Sequence, residues 1–209
     1  LLDPSSSIQS INDEVLGSPG KRLRPLMMVL ASKAISVSPL TSEQQSNLIK
    51  LSAAIELIHT ASLVHDDVVD QAPIRHDKPT IHAQFDEPTA ITMGVYLYSK
   101  SLNLIAQVGN NEALVKFSSA VTELCRGELT QIITRGKIDL DLDEYLVVLE
   151  QKTAVLFQTA VEIGSILVTT EKKYHDALSE FGKSFGMVFQ LLDDYKDLTA
   201  SGDSLHKNP

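Results

Sequence analysis

The chain has 209 residues, 43% hydrophobic and 22% charged, with ten glycines, eight prolines and no tryptophan. That length suits one domain with a substantial core, and so few turn-formers point to long elements in an all-α globule. A net charge of −9 argues against a nucleic-acid surface, and the single cysteine, Cys125, excludes an intrachain disulfide framework and fits a reducing, cytoplasmic setting.

Residues 3 to 16 open on Asp-Pro-Ser-Ser-Ser, a helix start, with no Met and no signal-peptide pattern before it. Gly17-Ser18-Pro19-Gly20 is a break. Three cations follow within four positions, Lys21, Arg22 and Arg24, directly before the apolar run Leu26 to Leu30. Such a segment is either a solubilising turn or an anion site, since a helix start adds backbone N–H donors. Residues 31 to 45 read as a loop closed by a cap at Thr41 or Ser42. From 43 to 70 the first strong helix carries Leu48, Leu51, Ile55, Ile58, Ser62 and Val69 at three- and four-residue steps, with His59 two turns before Asp66.

Residues 71 to 82 read as a polar loop that brings Arg75 and Lys78 near the preceding aspartates. Helices are expected at 88 to 107 and 112 to 134, separated by Gly109-Asn110-Asn111. After a turn at 135 to 142, one helix runs to about Val168 with Lys152 and Thr153 in its middle. The last, 171 to 199, has the stripe Leu178, Phe181, Phe185, Val188, Phe189 and Leu192. No sustained period-two alternation appears, nor any run of about 18 apolar residues that would span a membrane. The expectation is a single helical-bundle domain over 1–209, and the abrupt end suggests that it is incomplete at the C-terminus.

Two stretches carry the chemistry. Asp66, Asp67 and Asp70 close the first strong helix, and Asp193, Asp194 and Asp197 repeat the same D-D-x-x-D spacing in the last one. On a helix the first and third aspartates of each set lie one above the other, where they repel unless a cation sits between them. One acidic i, i+4 pair is a common solvated face. Two copies, both embedded in apolar sequence, suggest a pocket for divalent cations, and Mg²⁺ is typically held by one or two carboxylates plus substrate phosphates.

Taken together, five ordered blocks from Gly17 onward resemble the trans-prenyltransferases, the polyprenyl diphosphate synthases. They are Gly20-Lys21-Arg22-Leu23-Arg24-Pro25, the first aspartate set with its preceding His59 (His59 to Asp70), Lys152-Thr153, and, within Gly186 to Asp197, Phe189-Gln190 and the second aspartate set. The resemblance implies an isoprenoid-synthase bundle around a central cavity. It implies Mg²⁺ held chiefly by Asp66, Asp70 and Asp193, with Asp67, Asp194 and Asp197 in or just behind the cluster. Arg75, Lys152, Thr153 and Gln190 would contact an allylic diphosphate, and Lys21, Arg24, His59 and His76 isopentenyl diphosphate. Lys207 matches a further family lysine on diphosphate. Metal and cations would stabilise the departing diphosphate while the isopentenyl double bond attacks the allylic cation.

The family also implies a homodimer, and long lipid products imply weak peripheral association with membranes. Ala61 and Ser62, five and four residues before Asp66, are small where bulky family residues stop chain growth, so a medium or long product is expected; Tyr96 and Tyr98 are deeper candidate plugs. Two departures stand out: His76 replaces a second family arginine, and Val95 follows Gly94 where the family often has aspartate. They keep open a non-catalytic regulatory subunit of a heteromeric synthase. A class I terpene cyclase is the other alternative, disfavoured by the basic block and His59, which provide for a second diphosphate.

Overall fold

A computed structural model of the chain describes residues 5–17, 20–137, 139 and 141–199, so Lys207 lies outside the described residues. The chain forms α1 (Ser6–Leu16) and α2 (Leu23–Ile35), then the long α3 (Ser42–Val69). A capping box fixes the start of α3: Gln44 N–H donates to Thr41 Oγ1 at 3.1 Å, and Thr41 N–H donates to Gln44 Oε1 at 3.0 Å. Leu48, Leu51, Ile55 and Ile58 are buried as their spacing requires, but so are Ala54, Leu57, Ala61 and Val64. A helix apolar on several sides is a central one. By length and composition α3 could cross a membrane, contrary to the expectation from uninterrupted runs. Yet 61% of its most apolar window is buried within the fold, as in the core helix of a globule.

The segment after α3 is not a plain polar loop. It is a two-residue antiparallel hairpin, β1 (Ile74–Arg75) with β2 (Lys78–Pro79), followed by the short α4 (Ile81–Gln84). Its turn residues His76 and Asp77 sit at φ 50° and 62°, the left-handed pair that a tight hairpin needs. Four residues of strand are too short to leave a period-two signal.

α5 (Glu87–Val108) starts at Asp86, whose Oδ1 accepts from Thr89 N–H at 2.7 Å, and ends at Gly109 with φ +69°. α6 (Asn111–Thr134) is capped by Asn110, which accepts from Ala113 N–H at 2.9 Å. The helix expected from 143 to 168 is three pieces: α7 (Leu142–Leu149), a π-helical turn (Glu150–Ala154) and α8 (Val155–Ile166). α9 (Lys172–Thr199) completes the described chain.

The largest apolar cluster joins Met28 of α2 to Leu51, Ile55 and Ile58 of α3, Ile105 of α5, Phe117 of α6 and Leu156 of α8. A second lies between α3 and α5, with Val15 of α1. In the third, Phe157 of α8 meets Met27 of α2 and, on α9, Leu178, Phe185 and Phe189. The expected α9 stripe is only half right: Phe181, Val188 and Leu192 are more than half exposed. Their periodicity continues on a face that no other described element covers.

Candidate active site

The basic block, the middle of α3 and the hairpin enclose a cavity of about 480 Å³. Lys21, Arg24, His59, Arg75 and His76 all line it, although three separated segments supply them. Arg24 is buried, with its guanidinium 4.3 Å from the centre of the Phe157 ring. Burial pulls its pKa down to about 10 against the opposing carboxylate of Glu56, and its Nε has no hydrogen-bond partner among the described residues. Burial, then the Arg24, Arg75 and Arg22 guanidiniums, push the His59 imidazole well below its ordinary 6.5. A buried donor without an acceptor and crowded cations describe a pocket short of an anion. Arg22 also lines it, at φ 48°, donating to Glu56 Oε1 at 2.8 Å and to the Leu16 carbonyl at 3.0 Å.

The end of α3 has the opposite imbalance. Asp66 is half-buried, and its carboxyl is pushed up to about 7 by burial, with Lys152 opposing and Glu128, within hydrogen-bond reach, adding to the rise. Asp67 is buried and accepts from Arg75 Nε at 2.7 Å; burial raises its pKa and Arg75 opposes the rise. Asp70 caps α3 and accepts from Arg135, at the end of α6. Lys152, on the π-helical turn, is ion-paired to Glu128 and donates to Gln131 Oε1 at 2.5 Å. A π turn inside an α-helix is a frequent mark of a functional site. Its next residue, Thr153, donates to Gln190 Oε1 at 2.7 Å, and Gln190 Nε2 donates to Asp194 Oδ1 at 2.8 Å. Tyr145 of α7 donates to the other oxygen of Asp194.

One polar chain therefore runs from Asp66 through Glu128 and the Lys152-Thr153 pair to Gln190 and Asp194. It joins the two aspartate sets through the π turn. Asp193 and Asp197 stand exposed on the same end of α9, and Asp194, engaged on both oxygens, acts as an anchor in this arrangement. Among the described residues no three His, Cys, Asp or Glu side chains converge on one point. A divalent cation that draws part of its coordination from phosphate oxygens and water does not need them to. The donor set fits such an ion: Asp66 and Asp70 stand one turn apart at the end of α3, half-buried and exposed in turn, and Asp193 is exposed on α9.

Glu128, Gln131, Tyr145 and Arg135 are site residues that the sequence reading missed. A signal existed for Gln131: Ala120, Leu124 and Gly127 are buried at helical spacing, and Gln131 continues their stripe with a polar group. Ala61 is fully buried between α3 and α5, and Ser62 donates to the His59 carbonyl at 2.8 Å; neither lines the cavity described above. Tyr98 and Tyr96 point to different sides of α5. Burial raises the Tyr98 phenol above its ordinary value, with Cys125, Asp66 and Glu128 adding to the rise, and its ring lies 6.0 Å from that of His65, the residue before Asp66. Tyr96 instead lines an outer groove with Ile8 and Pro88. Gly94 is required by close approach: a Cβ there would occupy the ring of His65, whose Nε2 donates to the Ile91 carbonyl at 3.0 Å. Its neighbour Val95 is exposed.

The polyprenyl synthetase family model matches residues 5–209. The chain is 36% identical over 201 residues to the all-trans-nonaprenyl-diphosphate synthase (geranyl-diphosphate specific) of Rhodobacter capsulatus, covering 96% of this chain and 60% of that protein. Its fold superposes with a TM-score of 0.91 on the crystal structure of heptaprenyl diphosphate synthase from Staphylococcus aureus, at 34% identity, covering 99% of this chain and 64% of that one. A polyprenyl synthase from Caulobacter crescentus, crystallised with calcium and isoprenyl diphosphate, gives 0.89 at 31% identity, covering 99% and 61%. The chain thus spans just over three-fifths of the length of these relatives. Through its sequence, its fold and the ordered blocks at its site, this chain belongs to the polyprenyl synthetase family.

Proposed function

We propose that the protein carrying this chain is a Mg²⁺-dependent trans-prenyltransferase. It condenses isopentenyl diphosphate with an allylic diphosphate and makes a medium- or long-chain polyprenyl diphosphate. The observation that carries this reading is the polar chain from Asp66 to Asp194 beside a separate cationic cavity. A two-diphosphate reaction needs both.

Asp66, Asp70 and Asp193 would hold the metal, with Asp67, Asp194 and Asp197 orienting them. The bound ion would neutralise the charge that gathers on the leaving diphosphate. Lys152 and Arg75 stand ready to donate to that same oxygen cluster, and preorganised donors aimed at developing charge lower the barrier. Arg24, Lys21 and the neutral His59 hold isopentenyl diphosphate, where Arg24 brings an unfilled N–H to a phosphate oxygen. The apolar clusters behind α3 and α5 exclude water from the allylic cation. The released diphosphate takes the final proton. Ala61 and Ser62, small and packed below the first aspartates, mark the wall along which a growing tail would pass, with Tyr98 as its floor.

A homodimer through α5 is supported by Ile91, Val95 and Leu102, exposed at helical spacing on one face. Weak membrane association through lipid product is tested by co-sedimentation with vesicles after turnover, and a cytoplasmic location rests on the lone cysteine. The main test incubates labelled isopentenyl diphosphate and a short allylic diphosphate with and without Mg²⁺. A metal-dependent product ladder ending at a defined length is expected. Bound substrate with no elongation by the full-length protein would instead support the regulatory-subunit reading. Consumption of allylic diphosphate without isopentenyl diphosphate would indicate a cyclase.

A further inference from the structure

Lys152 reaches the space between the aspartate sets from a turn that a regular helix would not present there. The π turn lies against α6 because Gly127 has no side chain: a Cβ would come within 2.7 Å of Gln151 Cβ and 2.9 Å of Lys152 Cγ. Just beyond that contact, Glu128 is ion-paired to the Lys152 ammonium, and Gln131 Oε1 accepts from it at 2.5 Å. The Lys152 side chain is mostly buried, with a relative exposure of 20%, and that of Glu128 is 17% exposed. One hydrogen bond and one ion pair thus tie the ammonium to α6, and an ammonium with three donors still has N–H left for a ligand.

We propose that Glu128, together with Gln131, is a positioning residue that fixes the Lys152 ammonium before substrate arrives. This rests on the prenyltransferase reading and assigns a role to α6, which holds neither aspartate motif. A lysine side chain has four rotatable bonds and strong hydration, and ordering it on binding costs about a factor of ten in affinity. The Gly127-Glu128-Gln131 seat meets that cost in the folded protein, where close packing, the Glu128 ion pair and the Gln131 hydrogen bond hold the side chain. The seat is local to the π turn, so it acts on the allylic diphosphate and not on the cavity around Arg24, whose lining does not include it.

The test uses the full-length protein and calorimetric binding of a short allylic diphosphate and of isopentenyl diphosphate, each alone with saturating Mg²⁺. Glu128→Ala and Gln131→Leu should each weaken the allylic diphosphate about tenfold and leave isopentenyl diphosphate within twofold. Glu128→Gln, which keeps an acceptor for the ammonium, should recover most of the loss. On a Lys152→Ala background, Glu128→Ala should add nothing, because its partner is already gone. Equal weakening of both ligands, or a full Glu128→Ala effect without Lys152, would make Glu128 merely structural and overturn the proposal; so would wild-type allylic affinity in both single variants. If circular dichroism shows Glu128→Ala unfolded, Gln131→Leu and the Gln131–Lys152 double variant carry the same decision. Calorimetry needs no turnover, so a wild-type protein that binds both diphosphates yet makes no product would overturn the transferase reading while this comparison still decides the role of Glu128.

Discussion

The cavity around Arg24 and the acidic end of α3 share one helix and carry opposite imbalances. In the cavity, burial pulls Arg24 down to about 10, and burial together with three nearby guanidiniums holds His59 neutral. Farther along α3, burial pushes Asp66 up to about 7, with Glu128 adding to the rise. Each region is built short of the charge that its ligand brings. The cationic cavity can take a diphosphate directly through hydrogen bonds, whereas the acidic end can take one only through a cation that bridges carboxylate and phosphate. Sign and burial thus separate two ligands of the same headgroup chemistry.

The largest effect expected from breaking this division is at the acidic end. Asp66→Ala and Asp193→Ala should each lower kcat by about a thousandfold while the helical circular-dichroism signal persists, since donors and ions at developing charge carry most of the catalysis. Near-normal turnover in either would refute the assignment of that aspartate. Next, Arg24→Ala removes a charge-assisted contact from the cavity. It should raise KM for isopentenyl diphosphate about thirtyfold and move the allylic KM little. An equal shift in both would merge the two regions into one.

A smaller effect is expected at His76. The left-handed turn favours residues such as His and Asp there, and an arginine would be strained but would add a permanent bidentate donor. His76→Arg should therefore tighten isopentenyl diphosphate about threefold, while the strain at this turn should appear as a lower denaturant midpoint. The smallest effect is on stability. Because His59 titrates in the folded protein well below 6.5, the unfolded chain takes up its proton first as pH falls. The contribution of neutral His59 is fully present above pH 6.5 and is lost progressively below it, down to the folded value. Denaturant midpoints measured from pH 8 to 5 should fall less steeply for His59→Gln than for wild type; an unchanged slope would mean that His59 is not held neutral.

The helices were legible because their ends carry local chemistry. Thr41, Asp86, and Asn110 after Gly109 mark helix starts through a side-chain oxygen that accepts from a backbone N–H of the turn it opens. The cationic cavity was legible as a set of residues, since the basic block, His59, Arg75 and His76 are each recognisable in sequence. What was not legible depends on close approach between helices. The π turn at Glu150–Ala154 has no periodicity of its own over five residues. Glu128 looks like any solvated helical glutamate until Gly127 is seen to bring Lys152 against it. The α9 stripe failed for a related reason: periodicity gives the apolar face of a helix but not how much of that face other elements cover.

The most direct test of the division is calorimetric binding of each diphosphate alone, in EDTA and then in Mg²⁺. Isopentenyl diphosphate should bind in EDTA within about threefold of its affinity in Mg²⁺, because the Arg24 cavity supplies hydrogen bonds without a bridging ion. The allylic diphosphate should lose at least about a hundredfold in EDTA, because the carboxylates of the acidic end then face it unbridged. Equal metal dependence of the two ligands, or none for the allylic one, would contradict the account.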